Sequence, residues 1–246
     1  MNDTLLNTTI NGSIAGGLGY IITLPIDSIK QNLQIGKSIK NINIQNYFKG
    51  GTLGLFSIIP QMAIKFTSNS YFEKKYNFNS YINGFIAGTL DGAFLGPILA
   101  VQSLQQINNK LTYKESLNMI KKKSIYNLCI PMALRNGFYT SIIIGSYKLI
   151  DNKQKSFLEN FCYISLLNIP ATVIASPFDV IRAIQCKLLL DNQRINVSYV
   201  IKKIIRDYGI KGFYKGYTIF YINFAIRFPL TFSIFNYISI NSINIK

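Results

Sequence analysis

Six long stretches with almost no charge set the limits on how this chain can fold. Residues 8–26 and 160–178 contain no charged side chain. Four others contain one each: Lys65 within 50–72, Asp91 within 80–109, Arg135 within 124–147 and Arg227 within 216–245. A helix needs about 20 residues to cross a hydrocarbon core of about 30 Å, and each stretch is close to that length or longer. One such segment could be the buried helix of a soluble protein. Six in 246 residues could not, because exposed helix faces in water carry charge at every third or fourth position. The chain reads as an all-α membrane protein with six transmembrane helices.

The charge is concentrated between these stretches. Lysines and arginines total 26 against 10 acidic residues, a net +16. They crowd into the connections at 35–49, 110–123 and 187–215, whereas 73–79 and 151–159 mix both signs. Alternating basic and mixed loops place the three basic loops on one side of the membrane and both termini on the other. Nucleic acid is a poor partner for this pattern, since no aromatic-interleaved basic groove accompanies it. Heavy use of asparagine, isoleucine and lysine reads as coding bias of an A+T-rich genome, that of a protist or a large DNA virus.

Little in the chain supports metal or catalytic chemistry. There is no histidine, and the three cysteines, Cys129, Cys162 and Cys186, are far apart. The usual zinc site is thereby excluded, and no disulfide framework is offered. The commonest general base is missing too. No catalytic residue, metal or cofactor is expected, and the chain is not expected to be an enzyme. The N-terminus has neither the basic start of a signal peptide nor an arginine-rich transit sequence, so targeting is expected to be internal.

The chain also repeats itself, as expected where one supersecondary unit is used several times. Asn11-Gly12-Ser13-Ile14-Ala15-Gly16 matches Asn83-Gly84-Phe85-Ile86-Ala87-Gly88, and in both the Ala-Gly pair lies nine positions before a proline, Pro25 or Pro97. The spacing of Gly84, Gly88, Gly92 and Gly96 puts small residues on one helix face, which permits close packing in lipid. Pro25-Ile26-Asp27-Ser28-Ile29-Lys30 matches Pro177-Phe178-Asp179-Val180-Ile181-Arg182, with a degenerate copy at Pro97-Ile98-Leu99-Ala100-Val101-Gln102. Two aromatic-basic-glycine triplets follow downstream, Phe48-Lys49-Gly50 and Tyr214-Lys215-Gly216.

On these residues the chain resembles the mitochondrial carrier family over essentially its whole length, as a compact and divergent member. The resemblance implies a single carrier domain over 1–246. It would hold three pseudo-symmetric two-helix repeats, approximately 8–76, 80–151 and 157–240, with short matrix-side helices. It also implies a matrix-side gate in which the acid of one odd-numbered helix pairs with the base of the next. An acid and a base three apart within a membrane helix need such partners or a water-filled cavity. Here the gate consists of Asp27, Lys30, Gln102, Asp179 and Arg182. Lys30–Asp179 is its one full pair, with Asp27 facing Gln102 and Arg182 facing Leu99. Gln34 and Gln106 resemble the family's brace beneath the bridges. The gate on the opposite side looks weak: Asn69-Ser70-Tyr71-Phe72-Glu73, Tyr147-Lys148-Leu149-Ile150-Asp151 and Ile238-Ser239 keep little of the family's pattern.

Alternating access places the substrate between two gates, near the bilayer midplane. The resemblance puts the contacts on Gln61 or Lys65, on Arg135-Asn136 and on Arg227. Three cations converging on one cavity favour an anion. Asp91 either meets a cationic group of a zwitterionic substrate or neutralises Lys65 or Arg135. The expected function is antiport of a small anionic metabolite, either a nucleotide or deoxynucleotide or a di- or oxo-carboxylate. The setting is the mitochondrial inner membrane, of a host cell if the gene is viral. The expected partners are that metabolite and the lipid bilayer, with cardiolipin a candidate at the matrix side, and the chain is expected to be a monomer. A carrier fold without exchange, acting as a leak or adaptor, is the first alternative. A soluble basic nucleic-acid binder is the second.

Overall fold

The apolar stretches are helical in the computed structural model, which describes residues 2–37, 47–76, 78–122, 125–149 and 157–243. Six long helices are α1 (Asn2–Gln34), α2 (Gly51–Tyr76), α3 (Ser80–Ile107), α5 (Ile125–Leu149), α6 (Phe157–Leu190) and α8 (Tyr217–Ile243). Two short ones, α4 (Tyr113–Lys122) and α7 (Val197–Tyr208), lie between α3 and α5 and between α6 and α8. Four of the long helices contain stretches long and apolar enough to cross a membrane: Thr9–Gln34, Ser80–Ile107, Phe161–Leu190 and a stretch ending in α8, Ile210–Phe235. At 26 and 25 residues, α2 and α5 reach about 37 Å or more at 1.5 Å per residue, so they match the others in span.

The short helices start on side-chain caps. Thr112 and Glu115 form a reciprocal capping box at α4: the Thr112 hydroxyl accepts from the Glu115 amide at 3.3 Å, and Glu115 accepts from the Thr112 amide at 2.8 Å. Those bonds hold the exposed Glu115 carboxyl below its ordinary range. Asn196 caps α7 in the same sense, accepting from Ser198. Gly50 and Gly216, which close the two triplets, have φ of 75° and 74°, a left-handed conformation that only glycine adopts without steric cost.

The long helices close into a ring in chain order: α1 packs on α2, α2 on α3, α3 on α5, α5 on α6, α6 on α8, and α8 returns to α1. The tightest seam is α3 against α5, and the four-residue glycine spacing explains it. A Cβ on Gly84 would lie 2.8 Å from the Thr140 carbonyl oxygen. One on Gly92 would lie 2.5 Å from that of Met132, and one on Gly96 would lie 2.9 Å from Cys129 Sγ. Helix backbones can approach this closely only where side chains are missing.

Polarity is distributed the opposite way from a soluble protein. Phe94 is 71% exposed and Leu166 62%, while Lys30 and Asp179 are 1% and 0% exposed. Large apolar groups facing outward and charges facing inward suit hydrocarbon rather than water. At the C-terminal ends of α1, α3 and α6 the three odd-position helices also touch one another. There Ile35, Leu104, Ile107, Ile184 and Leu188 form a continuous apolar plug. Connections 38–46 and 151–156, with Lys123, lie outside the described residues.

Candidate functional site

Above the plug lies a cavity of about 950 Å³, open mouth included, to which α1, α2, α3, α5, α6 and α8 all contribute. Its floor is a buried ionic cluster centred on Asp179. Lys30 Nζ lies 3.0 Å from Asp179 Oδ2, Arg135 Nη1 2.8 Å and Arg182 Nη2 3.4 Å from Oδ1. The Gln34 amide donates to Oδ2 at 2.8 Å. One carboxylate thus holds three cations. Lys30 also reaches Asp27 in its own helix at 3.0 Å. These are short, charge-assisted contacts in a water-poor setting, which is how buried charges are tolerated.

The loss of the acid and base from the second repeat shapes the rest of the floor. Arg182, which meets Leu99 where an acid would stand, donates to the Leu99 carbonyl oxygen at 3.4 Å and to the Ser103 hydroxyl. Gln102 departs from expectation. Its amide donates to the Tyr20 hydroxyl at 2.8 Å, and the amide that serves Asp27 is Gln106, at 3.3 Å. Tyr20 sits two helical turns before Asp27 on the same face of α1, so its hydroxyl takes the glutamine first. Gln34 and Gln106 therefore both reach buried carboxylates directly.

The remaining predicted residues fall in two groups. In the first, Lys65 Nζ lies 3.2 Å from the fully buried Asp91, and the Asn136 amide donates to the same carboxylate at 2.9 Å. Asp91 is therefore ion-paired with Lys65 and does not itself line the cavity. Arg135 Nε donates to Asn136 at 3.0 Å, so an unbroken polar chain runs Lys65, Asp91, Asn136, Arg135, Asp179. Gln61, close to Ser57 at 3.5 Å, lines the cavity beside Lys65.

Arg227 forms the second group. Its Nε donates to Thr23 at 3.0 Å and its guanidinium stacks 4.7 Å from the Tyr20 ring centroid. Among the described residues no carboxylate is within ion-pair distance of it, and its Nη2 is buried without a partner. An aromatic wall of Tyr139, Phe224 and Phe228, with ring centroids 4.8 to 5.5 Å apart, closes the α5–α8 side. Tyr20, Thr23 and Ser103 are the contributors that sequence reasoning missed. Tyr20 and Thr23 follow Gly16 at steps of four and three toward Asp27, a periodicity that would have placed them on the cavity face. On the opposite side, the side chains of Ser70, Tyr147, Lys148, Leu149, Ile150, Asp151 and Ser239 lie outside the described set.

A sequence model described as Mitochondrial carrier protein matches residues 153–243. Across most of the chain, the mitochondrial thiamine pyrophosphate carrier 1 of Meyerozyma guilliermondii is 24% identical, covering 90% of this chain and 89% of its own length. This chain is similar to the mitochondrial carrier family, by that model over residues 153–243 and by this relative over most of its length. The mitochondrial ornithine transporter 1 of Saccharomyces cerevisiae is also 24% identical, over 84% of this chain and 86% of the relative. The mitochondrial aspartate-glutamate transporter of the same yeast is 24% identical over 87% of this chain, which spans 29% of that longer protein. The chain is a multi-pass membrane protein, and the relatives it resembles are named for chemically diverse solutes.

Proposed function

We propose that this carrier exchanges a small anionic metabolite across the mitochondrial inner membrane by alternating access. The candidates are a nucleotide or deoxynucleotide, or a di- or oxo-carboxylate. The observation that carries this reading is the charge of the cavity. Lys30, Lys65, Arg135, Arg182 and Arg227 line it, and the carboxylates in contact with them are Asp27, Asp91 and Asp179. Five cations against three carboxylates leave two positive charges for a ligand to neutralise. In a low-dielectric cavity that excess focuses field on an incoming anion. The names of two relatives agree, since aspartate, glutamate and thiamine pyrophosphate carry acidic groups.

In this reading Gln61, Lys65, Arg135, Asn136 and Arg227 contact the substrate, and Asp91 fixes Lys65. Asp27, Lys30, Asp179 and Arg182 form the matrix-side gate, with Gln34 and Gln106 beneath it and Gln102 held aside on Tyr20. The repeats near 8–76, 80–151 and 157–240 each supply one odd-position helix to that gate. Binding an anion offsets the cavity's excess charge and loosens the cations' hold on the gate carboxylates. The odd-position helices can then part and the plug beneath them open.

The test is uptake into liposomes preloaded with a panel of nucleotides and carboxylates. Exchange that requires internal substrate is expected for at least one anion. No counter-exchange with any of them would sink the proposal, and flux that ignores internal substrate would instead favour a leak.

A further inference from the structure

Resting on that reading, we infer that the substrate carries two separate acidic groups, and that one of them opens the gate by taking Arg135 from Asp179. Two observations carry this. Arg227 is the one cavity cation with no carboxylate in ion-pair contact among the described residues, and its Nη2 is buried with no partner. Arg227 lines the cavity, so an acidic group can dock on it without breaking an existing ion pair. Arg135, in contrast, lines the same cavity yet is already engaged, 2.8 Å from Asp179 Oδ1. An acidic group reaching Arg135 has to compete with Asp179 for it.

The competition matters because this gate has a single hub. The second repeat contributes Leu99 and Gln102 where an acid and a base would stand, and Asp179 gathers Lys30, Arg135 and Arg182. Removing Arg135 from the hub withdraws one of its three cations and one of its shortest bonds. A ligand with one acidic group docks at Arg227 and leaves the hub intact. A ligand with two acidic groups docks at Arg227 and draws Arg135 away, so binding and gate release become one event. Charge excess alone would accept any anion; the Arg135–Asp179 pair makes the second acidic group the key.

The experiment uses the full chain in preloaded liposomes. Labelled C4 to C6 dicarboxylates and nucleoside diphosphates are each compared with a partner in which one acidic group is masked, as a monoamide or terminal phosphate ester. Binding is followed in parallel by thermal stabilisation of the purified carrier. At least one two-acid compound should exchange, with its masked partner about tenfold slower or more, the scale of one charge-assisted hydrogen bond. The masked partner should still stabilise the wild-type protein and lose that effect in Arg227→Ala. In Arg135→Gln, where the hub is already released from this cation, the discrimination should fall below about twofold. Equal exchange of masked and unmasked compounds by the wild type overturns the two-acid requirement and leaves anion exchange standing. Discrimination that persists in Arg135→Gln overturns the role of Arg135. Failure of every compound to exchange overturns both readings.

Discussion

Asp179 shows how a residue can be legible in its motif and still be misjudged in its load. The family resemblance, carried by the Pro-x-Asp-x-x-Arg pattern of α6 and the matching pattern of α1, implies a Lys30–Asp179 pair, and the two side chains lie 3.0 Å apart. Nothing in the spacing predicts Arg135, 44 positions away, on the same carboxylate. That contact depends on α5 lying beside α6, a lateral packing that no local pattern encodes. It changes what a charge swap should do. For an isolated pair, Lys30→Asp with Asp179→Lys would restore the attraction lost in either change alone. Here the introduced lysine would stand beside Arg135 and Arg182, where like charges repel strongly at low dielectric. The double variant's uptake is therefore expected to stay within about twofold of the single variants' residual rate, measured as exchange in liposomes. Substantial rescue would mean that Arg135 and Arg182 do not share the hub. Gln102 teaches the same lesson: the motif gave its position, but Tyr20, one helix away, decides its partner.

At the scale of elements, the helices and their packing glycines were readable because both signals are periodic and local. Charge-free length marks a span, and glycine every fourth residue marks a seam. What the seam packs against was not readable, and proved to be the α5 backbone along its whole contact face. A Cβ on Gly88 would run into the Asn136 carbonyl, whereas one on Gly17 would meet only the Leu55 side chain at 4.0 Å. Gly88→Ala should therefore lower the melting temperature in detergent by several degrees, on the scale of about 1–3 kcal/mol for an overpacked contact. Gly17→Ala should leave it unchanged or raise it slightly. A second element-level device lies below the ionic cluster. Lys37 donates to the Ile107 carbonyl at the end of α3 at 2.6 Å, and Lys187 to the Ile35 carbonyl just past α1 at 3.1 Å. These lysines cap the C-terminal ends of neighbouring odd-position helices and so tie the closed end together, where cations are favoured by the helix dipole. Burial, with the nearby Lys187, holds the Lys37 ammonium below its ordinary range. Cys186 is fully buried at this level and reports on it. With Cys129 and Cys162 replaced by serine, Lys37→Met with Lys187→Met should speed thiol modification of Cys186 about tenfold, the scale of one charge-assisted bond. An unchanged rate would show that the lysines do not hold the end shut.

For the whole molecule, the closed ring of six helices makes the two faces electrostatically unequal. By sequence, 110–122 and 187–215 on the plugged side hold eleven basic residues against three acidic ones. The connections 73–79 and 151–159 on the other side hold four basic and three acidic. An anion approaching the plugged side meets a net positive surface before it reaches the cavity, whereas one approaching the open side meets nearly balanced loops and then the cavity's own excess charge. Fields of exposed charges act over a Debye length of about 10 Å at 0.1 M salt and shrink to about 3 Å at 1 M. The ionic hub is buried and is screened far less. Raising ionic strength should therefore raise KM for an anionic substrate presented on the plugged side by several-fold, through slower steered encounter. KM on the other side should change by less than about twofold, and kcat on either side should hold steady because the gate itself is not screened. Exchange measured in liposomes of sorted orientation, with substrate on one side at a time, reads the asymmetry directly. Equal salt dependence on the two faces would mean that the basic surface serves lipid or folding and does not gather substrate. A fall in kcat with salt would place the screened charges in the gate itself, against the burial of Lys30 and Asp179.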